Sequence, residues 1–306
     1  MKNITINHQN ISWLSFFRVG IAAICFFNFL TLQSDFALLY YKDAYSVPEI
    51  SRLISPTIIP TFYDIHLYLN HYVSFDYNAL LMVFRIVYPL SLLSLLIGFH
   101  SRISAIVALL LFVVFINSYN CLYYGFDVFV NISLFYCVIF PVGRYNAINK
   151  NKKNISDLDE RKYLYLLRTH ICLVYFFSGF DKLLGFNWRN GESLWKALHS
   201  LSSQEWVNLD FLATTPFFLI GGWLTIILEM LYPIFINFKT TRKVWLFGIV
   251  GMHFSIAVLM NLYFFSAIMI ILNLTAYYIP YGKVQENHHD LASNDKFVAA
   301  AMSEAM

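Results

Sequence analysis

The chain has 306 residues, 58% of them hydrophobic and 13% charged, with a formal net charge of +3. Soluble domains carry about 25% charged residues, so these charges are too few to cover a globule of this size, and an ordinary soluble protein is excluded. The basic residues are scattered over separate segments, which argues against nucleic acid as a partner. The four cysteines include no CxxC, which argues against a disulfide framework or a zinc cluster.

Apolar runs of membrane-spanning length, roughly 17–25 residues, recur along the chain. In order they lie at about 14–33, 78–98, 103–120, 127–143, 162–181, 214–236, 244–261 and 263–280. Lipid offers the backbone no hydrogen-bonding partner, so each is expected to be helical. The first run is long and has no small-residue cleavage site, so it is expected to remain as a span. The fold class is therefore all-α: a polytopic integral membrane helical bundle of about eight transmembrane helices. Residues 1–280 form a single domain, and residues 281–306 form a cytoplasmic C-terminal tail.

Basic residues set the orientation. With the N-terminus inside, fifteen of the twenty-one Lys and Arg fall in inner segments, including Arg18, Arg102, the group from Arg144 to Arg168, and Arg242. The outer side holds Lys42, Arg52, Lys182, Arg189 and Lys196, and Arg85 lies inside a span. Both termini are expected in the cytoplasm, with the protein a multi-pass component of the plasma (inner) membrane.

Two outer segments are too long for simple turns. The first, 34–77, holds Pro48, Pro56, Pro60 and five acids, and is expected to fold down as a cap. The second, 183–213, contains "ESLWKALHSL", in which Leu194, Trp195, Leu198 and Leu201 recur at helical spacing. That stripe predicts an outer-face amphipathic helix over 192–203, with Ser203 on its wet side. The proline and Gly-Gly pair of "TTPFFLIGGWLTIILEMLYP" predict close helix contact, and the tight join near Asn261 predicts a hairpin. Arg18 and Arg168 each precede a Phe-Phe pair at equal spacing, which is read either as an old duplication or as positive-inside bias alone.

Ionisable groups at membrane depth are costly and usually face protein or water. Here they are Arg85, Asp127, His170, Asp181, Lys182, Glu229 and His253. Two readings of Lys182 stand side by side. A lysine at a helix end can snorkel to the interface, or it can be a desolvated base. Ser178 and Tyr175 fall one and two turns below it on nearly the same face, and Asp181 lies about a quarter-turn away. Asp127 reads as a helix N-terminal charge, and His253 either as a packing histidine or as a pocket group. An Arg85–Glu229 pair is a further possibility, although their depths differ.

The stretch "YFFSGFDKLLGFNW" followed by "NGESLW" resembles the signature of the vitamin K-dependent gamma-carboxylase-like membrane proteins, whose bacterial members form the horizontally transferred transmembrane (HTTM) domain family. The matching residues are Tyr175, Phe176, Ser178, Gly179, Lys182, Leu183, Trp188 and Gly191. The resemblance extends over about residues 10–280. It implies that Lys182 is the base that deprotonates a reduced quinone at the outer face. Two departures limit the transfer. Asn120 and Cys121 stand where the carboxylases carry a histidine, and the large lumenal substrate-gripping region has no counterpart. Gamma-glutamyl carboxylation therefore does not follow from the resemblance.

The functional expectation is a quinol-linked membrane enzyme acting on a peptide or lipid at the outer face. Lys182, His253 and Tyr175 carry its chemistry, and Ser178, Trp188, Trp195 and Asp181 line the cofactor site. The cofactor implied is a lipid quinol, either reduced vitamin K or menaquinol; membrane lipids and a redox partner would surround it. The alternative is a non-catalytic factor for maturation or export of a small secreted peptide, of the sporulation-delaying-protein B type.

Overall fold

The computed structural model describes residues 12–41, 47–55, 58–119, 122–149, 157–200, 210–212 and 215–280. A helix lies along each of the eight apolar stretches, and the described residues contain no strand. In chain order the helices are α1 (Trp13–Thr31), α2 (Phe36–Tyr40), α3 (Pro48–Ile54), α4 (Phe62–Asn70), α5 (Tyr77–Ile97), α6 (Ser101–Ser118) and α7 (Gly125–Ile139). There follow α8 (Asp157–Leu184), α9 (Phe186–Arg189), α10 (Glu192–Leu198), α11 (Phe217–Met230), α12 (Tyr232–Phe235), α13 (Arg242–Met260) and α14 (Tyr263–Tyr277).

Among the described residues, four helices are long and apolar enough to cross a membrane: α1, α5, α6 and α13. α7, α11 and α14 are apolar but shorter. The expected run 214–236 is broken in two at Leu231. Pro233 has no N–H to give, and its ring crowds the carbonyl four residues back, so one continuous helix is disfavoured there. Asn261 turns the chain in the left-handed region (φ 57°) and lets α13 fold directly onto α14, the hairpin anticipated near that residue.

α1 packs against α5, α7 and α14, while α5, α6 and α7 succeed one another as neighbours and α8 packs against α11 and α14. The core is an aromatic column. Phe84 stacks on Phe115 (ring centroids 4.9 Å) and on Tyr88 (5.3 Å), and Phe29 meets Phe84 and Tyr88 edge-on. Such offset and edge contacts suit the ring quadrupoles.

The segment after α1 does fold over the end of α5 and α6. Phe62 inserts against Phe84 at 5.2 Å, and its N–H donates to Ser118 Oγ at 2.7 Å. Asn117 Nδ2 donates to the Ile59 carbonyl at 2.6 Å. Thr61 and Asp64 form a capping box that starts α4, and Asp64 also pairs with Arg52. Burial opposes ionisation of Asp64, but the Thr61 backbone and hydroxyl and the Arg52 guanidinium outweigh it, holding the carboxyl below its ordinary range.

At the opposite end of the bundle, Arg18 is almost wholly buried. Its guanidinium donates to the carbonyls of Val142, Tyr145 and Asn146, closing the chain that follows α7 onto α1. Arg168 Nε donates to the Ala276 carbonyl at the last turn of α14, where a cation complements the helix dipole. Each arginine therefore has a local structural partner.

Several expectations change or fall outside the described residues. The surface helix ends at Leu198 rather than near 203, and His199 Nδ1 lies 2.8 Å from the Trp195 carbonyl at its end. Leu201, Ser203, Pro56, Asn120, Cys121 and the tail 281–306 lie outside the described residues. The Arg85–Glu229 pair does not form. Arg85 instead donates to Gln33 Oε1 and the Tyr41 hydroxyl and lies over the Phe36 ring. Asp127 takes the expected role, accepting from the Tyr124 N–H at 3.0 Å at the start of α7.

Candidate functional site

The site begins with glycines that let α8 and α11 touch. A Cβ at Gly179 would lie 2.4 Å from the Met230 nitrogen, so only glycine allows the two backbones this close. Past the end of α8, the chain wraps over α11. A Cβ at Gly222 would meet the Trp188 carbonyl at 2.5 Å, and Gly191 turns with φ 86° against the Leu219 backbone. Leu194 of α10 lies against Gly221. The Gly-Gly pair of α11 thus seats the segment that carries Trp188.

This approach brings Glu229 to Lys182. Lys182 Nζ donates to Glu229 Oε2 at 2.6 Å and to Ser178 Oγ at 2.6 Å. The two charged side chains are 17% and 8% exposed, so the pair is largely withdrawn from solvent. The Trp188 ring covers it, its centroid 5.2 Å from Nζ, where the indole face attracts the ammonium. A buried pair of this kind is expensive to form and more expensive to break.

Two turns along the same face of α8, Tyr175 is buried in a second polar group. Its hydroxyl lies 2.8 Å from His253 Nε2 and 2.8 Å from Asn273 Nδ2. Asn273 also donates to the Met269 carbonyl and accepts from the Tyr232 hydroxyl at 2.7 Å. The Tyr175 and Tyr232 rings lie 4.4 Å apart. Helices α8, α12, α13 and α14 each contribute one member.

No family model, curated protein or solved structure matches the chain. The chemistry of the site therefore rests on its geometry.

Of the residues singled out in the sequence, Lys182, Ser178 and Trp188 come together, and Tyr175 and His253 come together below them. Asp181 does not join either group; it is exposed, and Lys182 is paired with Glu229 instead. Trp195 does not cover the lysine. It stacks on His199 with ring centroids 4.6 Å apart and is partly exposed. Phe177 and Phe180, on the same helix, are exposed. Tyr232 and Asn273 escaped the sequence reading. An asparagine inside the apolar run "MIILNLTAYY" was the signal available for the second.

An amine, a carboxylate and a hydroxyl lie within hydrogen-bond reach of one another beneath an aromatic face, the group types that acid–base chemistry uses.

Proposed function

We propose that the chain is an eight-span membrane protein with both termini cytoplasmic, whose outer-face site performs acid–base chemistry on a lipid quinol. The apolar helices and the excess of basic residues at the Arg18 end support the orientation. In this orientation Lys182 stands at the outer end of α8. The resemblance of Tyr175 to Gly191 to the carboxylase-like signature supports the class of chemistry.

The observation that carries the reading is the Lys182–Glu229 pair beneath Trp188. Its donor set fits a phenol-type hydroxyl: a proton acceptor at Lys182 Nζ, a hydroxyl at Ser178 and an indole face for a flat ring. Lys182, Ser178 and Trp188 are the residues that would hold such a ring. A bound quinol would supply reducing electrons. Glu229 stores the lysine's proton, Lys182 Nζ accepts one from a hydroxyl, and Trp188 limits access of water.

The test is substitution at Lys182 together with mass spectrometry of lipids extracted from the purified protein. Lys182→Arg should abolish activity with expression and insertion intact, because arginine keeps the charge but does not give up its proton; Lys182→Ala should abolish it too and also lower stability, because Glu229 loses its partner. The wild-type extract should contain a quinone in stoichiometric amount. A fully active Lys182→Arg variant would reduce the pair to a structural clasp and favour the non-catalytic peptide-maturation reading.

A further inference from the structure

Helix α3 is inside out. A surface helix in water aims its apolar stripe at the core and its polar residues at solvent. In α3 the buried residues are Pro48 and Ser51, followed by Ser55 at the C-terminal cap. Val47, Ile50, Leu53 and Ile54 fall within about a third of the circumference, at roughly 100° per residue. All four are exposed, Leu53 at 84%, and Ile58 beyond the helix extends the patch at 92%. Glu49 and Arg52 occupy the remaining flank, where Arg52 pairs with Asp64 of α4.

The seat of α3 indicates which medium meets this apolar face. Along α6, Ile103, Ile106 and Leu110 form an exposed stripe, and the helical spacing carries that stripe through Val113 and Val114 to Asn117. There α3 covers it. Asn117 is buried, its carbonyl meets Ser55 Oγ, and its Nδ2 donates to the Ile59 carbonyl. α6 is long and apolar enough to cross a membrane, so α3 lies on a stripe that would otherwise face lipid. The chain around α3 also meets the demand that lipid makes on backbone, whose polar groups need partners within the protein. Asn117 satisfies the Ile59 carbonyl, Ser118 Oγ accepts the Phe62 N–H, and Pro48 at the start of the helix has no N–H to satisfy.

We infer that α3 is a lipid-embedded helix, seated on the lipid-facing stripe of α6, with Val47, Ile50, Leu53, Ile54 and Ile58 among the acyl chains of the adjacent leaflet. Exposed apolar patches mark protein or membrane contacts. This one continues the stripe of a spanning helix, so both meet the same acyl chains. The Arg52–Asp64 pair, on a different flank, stays at headgroup level. The inference rests on the membrane-spanning reading of α6; it is independent of the orientation and of the quinol chemistry.

The test reads the medium around single side chains. Leu53→Cys, Ile54→Cys, Leu110→Cys and Asn190→Cys would each be made in a cysteine-free full chain and given a nitroxide spin label. The labelled proteins would be placed in phosphatidylcholine–phosphatidylglycerol vesicles. Relaxation by oxygen, which concentrates in lipid, is then compared with relaxation by a water-soluble nickel chelate. At positions 53 and 54, as at 110, oxygen collisions should exceed nickel collisions several-fold, with the reverse at 190. Nickel in excess at 53 and 54 would put α3 in water, and protection from both reagents would put a second copy or a partner protein on it. Either result overturns the inference while leaving the spans in place. Nickel in excess at 110 as well would overturn the spanning reading of α6 and this inference together.

Discussion

Lys182 and Glu229, 47 positions apart, are joined by a 2.6 Å ion pair between α8 and α11. Removing one partner strands the other charge in a largely dry site. Glu229→Ala should therefore destabilise the protein by about 3–5 kcal/mol. The double change Lys182→Met with Glu229→Met should cost less than either single truncation, because no buried charge remains. Thermal melting of the three variants in one detergent checks this; additive losses would show that the pair is not coupled.

Gly179 sets the distance across which that pair forms. Gly179→Ala adds a Cβ that would lie 2.4 Å from the Met230 nitrogen, on backbone that cannot swing aside. The helices should separate, at a cost of about 1–3 kcal/mol, and the Lys182–Glu229 contact should lengthen with them. Gly251→Ala is the control, because a Cβ there meets nothing within 4 Å. Its melting temperature should match or exceed that of the wild type.

Arg18 ties three carbonyls of residues 142–146 to α1. Arg18→Ala leaves those carbonyls unpaired in a buried place and should cost about 3 kcal/mol or more. Arg18→Lys should recover only part, since a single ammonium lacks the planar fork. Limited proteolysis around residues 142–149 should accelerate in the order wild type, lysine, alanine.

The orientation can be checked directly. Ile148 and Asn190 are exposed, near opposite ends of the bundle. Single cysteines there, in a cysteine-free background, should differ in labelling by an impermeant maleimide on intact cells, with position 190 alone reacting. Labelling of both would remove the topology and the outer-face assignment of Lys182.

The cap carries a pH dependence of definite sign. Asp64 has a depressed pKa in the folded state, so its contribution is present above the unfolded carboxyl value, near 3.9, and is lost as pH falls through the folded value. Thr61→Ala removes the cap interaction at any pH and should cost about 1 kcal/mol. Hydrogen exchange in α4 should rise below about pH 4 in the wild type. In Asp64→Asn that pH response should be absent.

The sequence by itself determined where helices run, because a long apolar stretch in lipid leaves the backbone little choice except the helix. It also placed Tyr175, Ser178 and Lys182 on one face, since the helical period alone decides that. It singled out Glu229 and His253 as costly groups at membrane depth. Only the tertiary structure decided what they meet. Asp181 is next to Lys182 in sequence yet points elsewhere, while Glu229 reaches it because two glycine surfaces let α8, α11 and the Trp188 segment close together. The Tyr175–His253–Asn273–Tyr232 group was likewise beyond the sequence, because its members come from four helices and no spacing along one helix can report which faces pack. Helical periodicity acts within a segment; pairing between segments is set by side-chain volume and the approach distance those glycines permit.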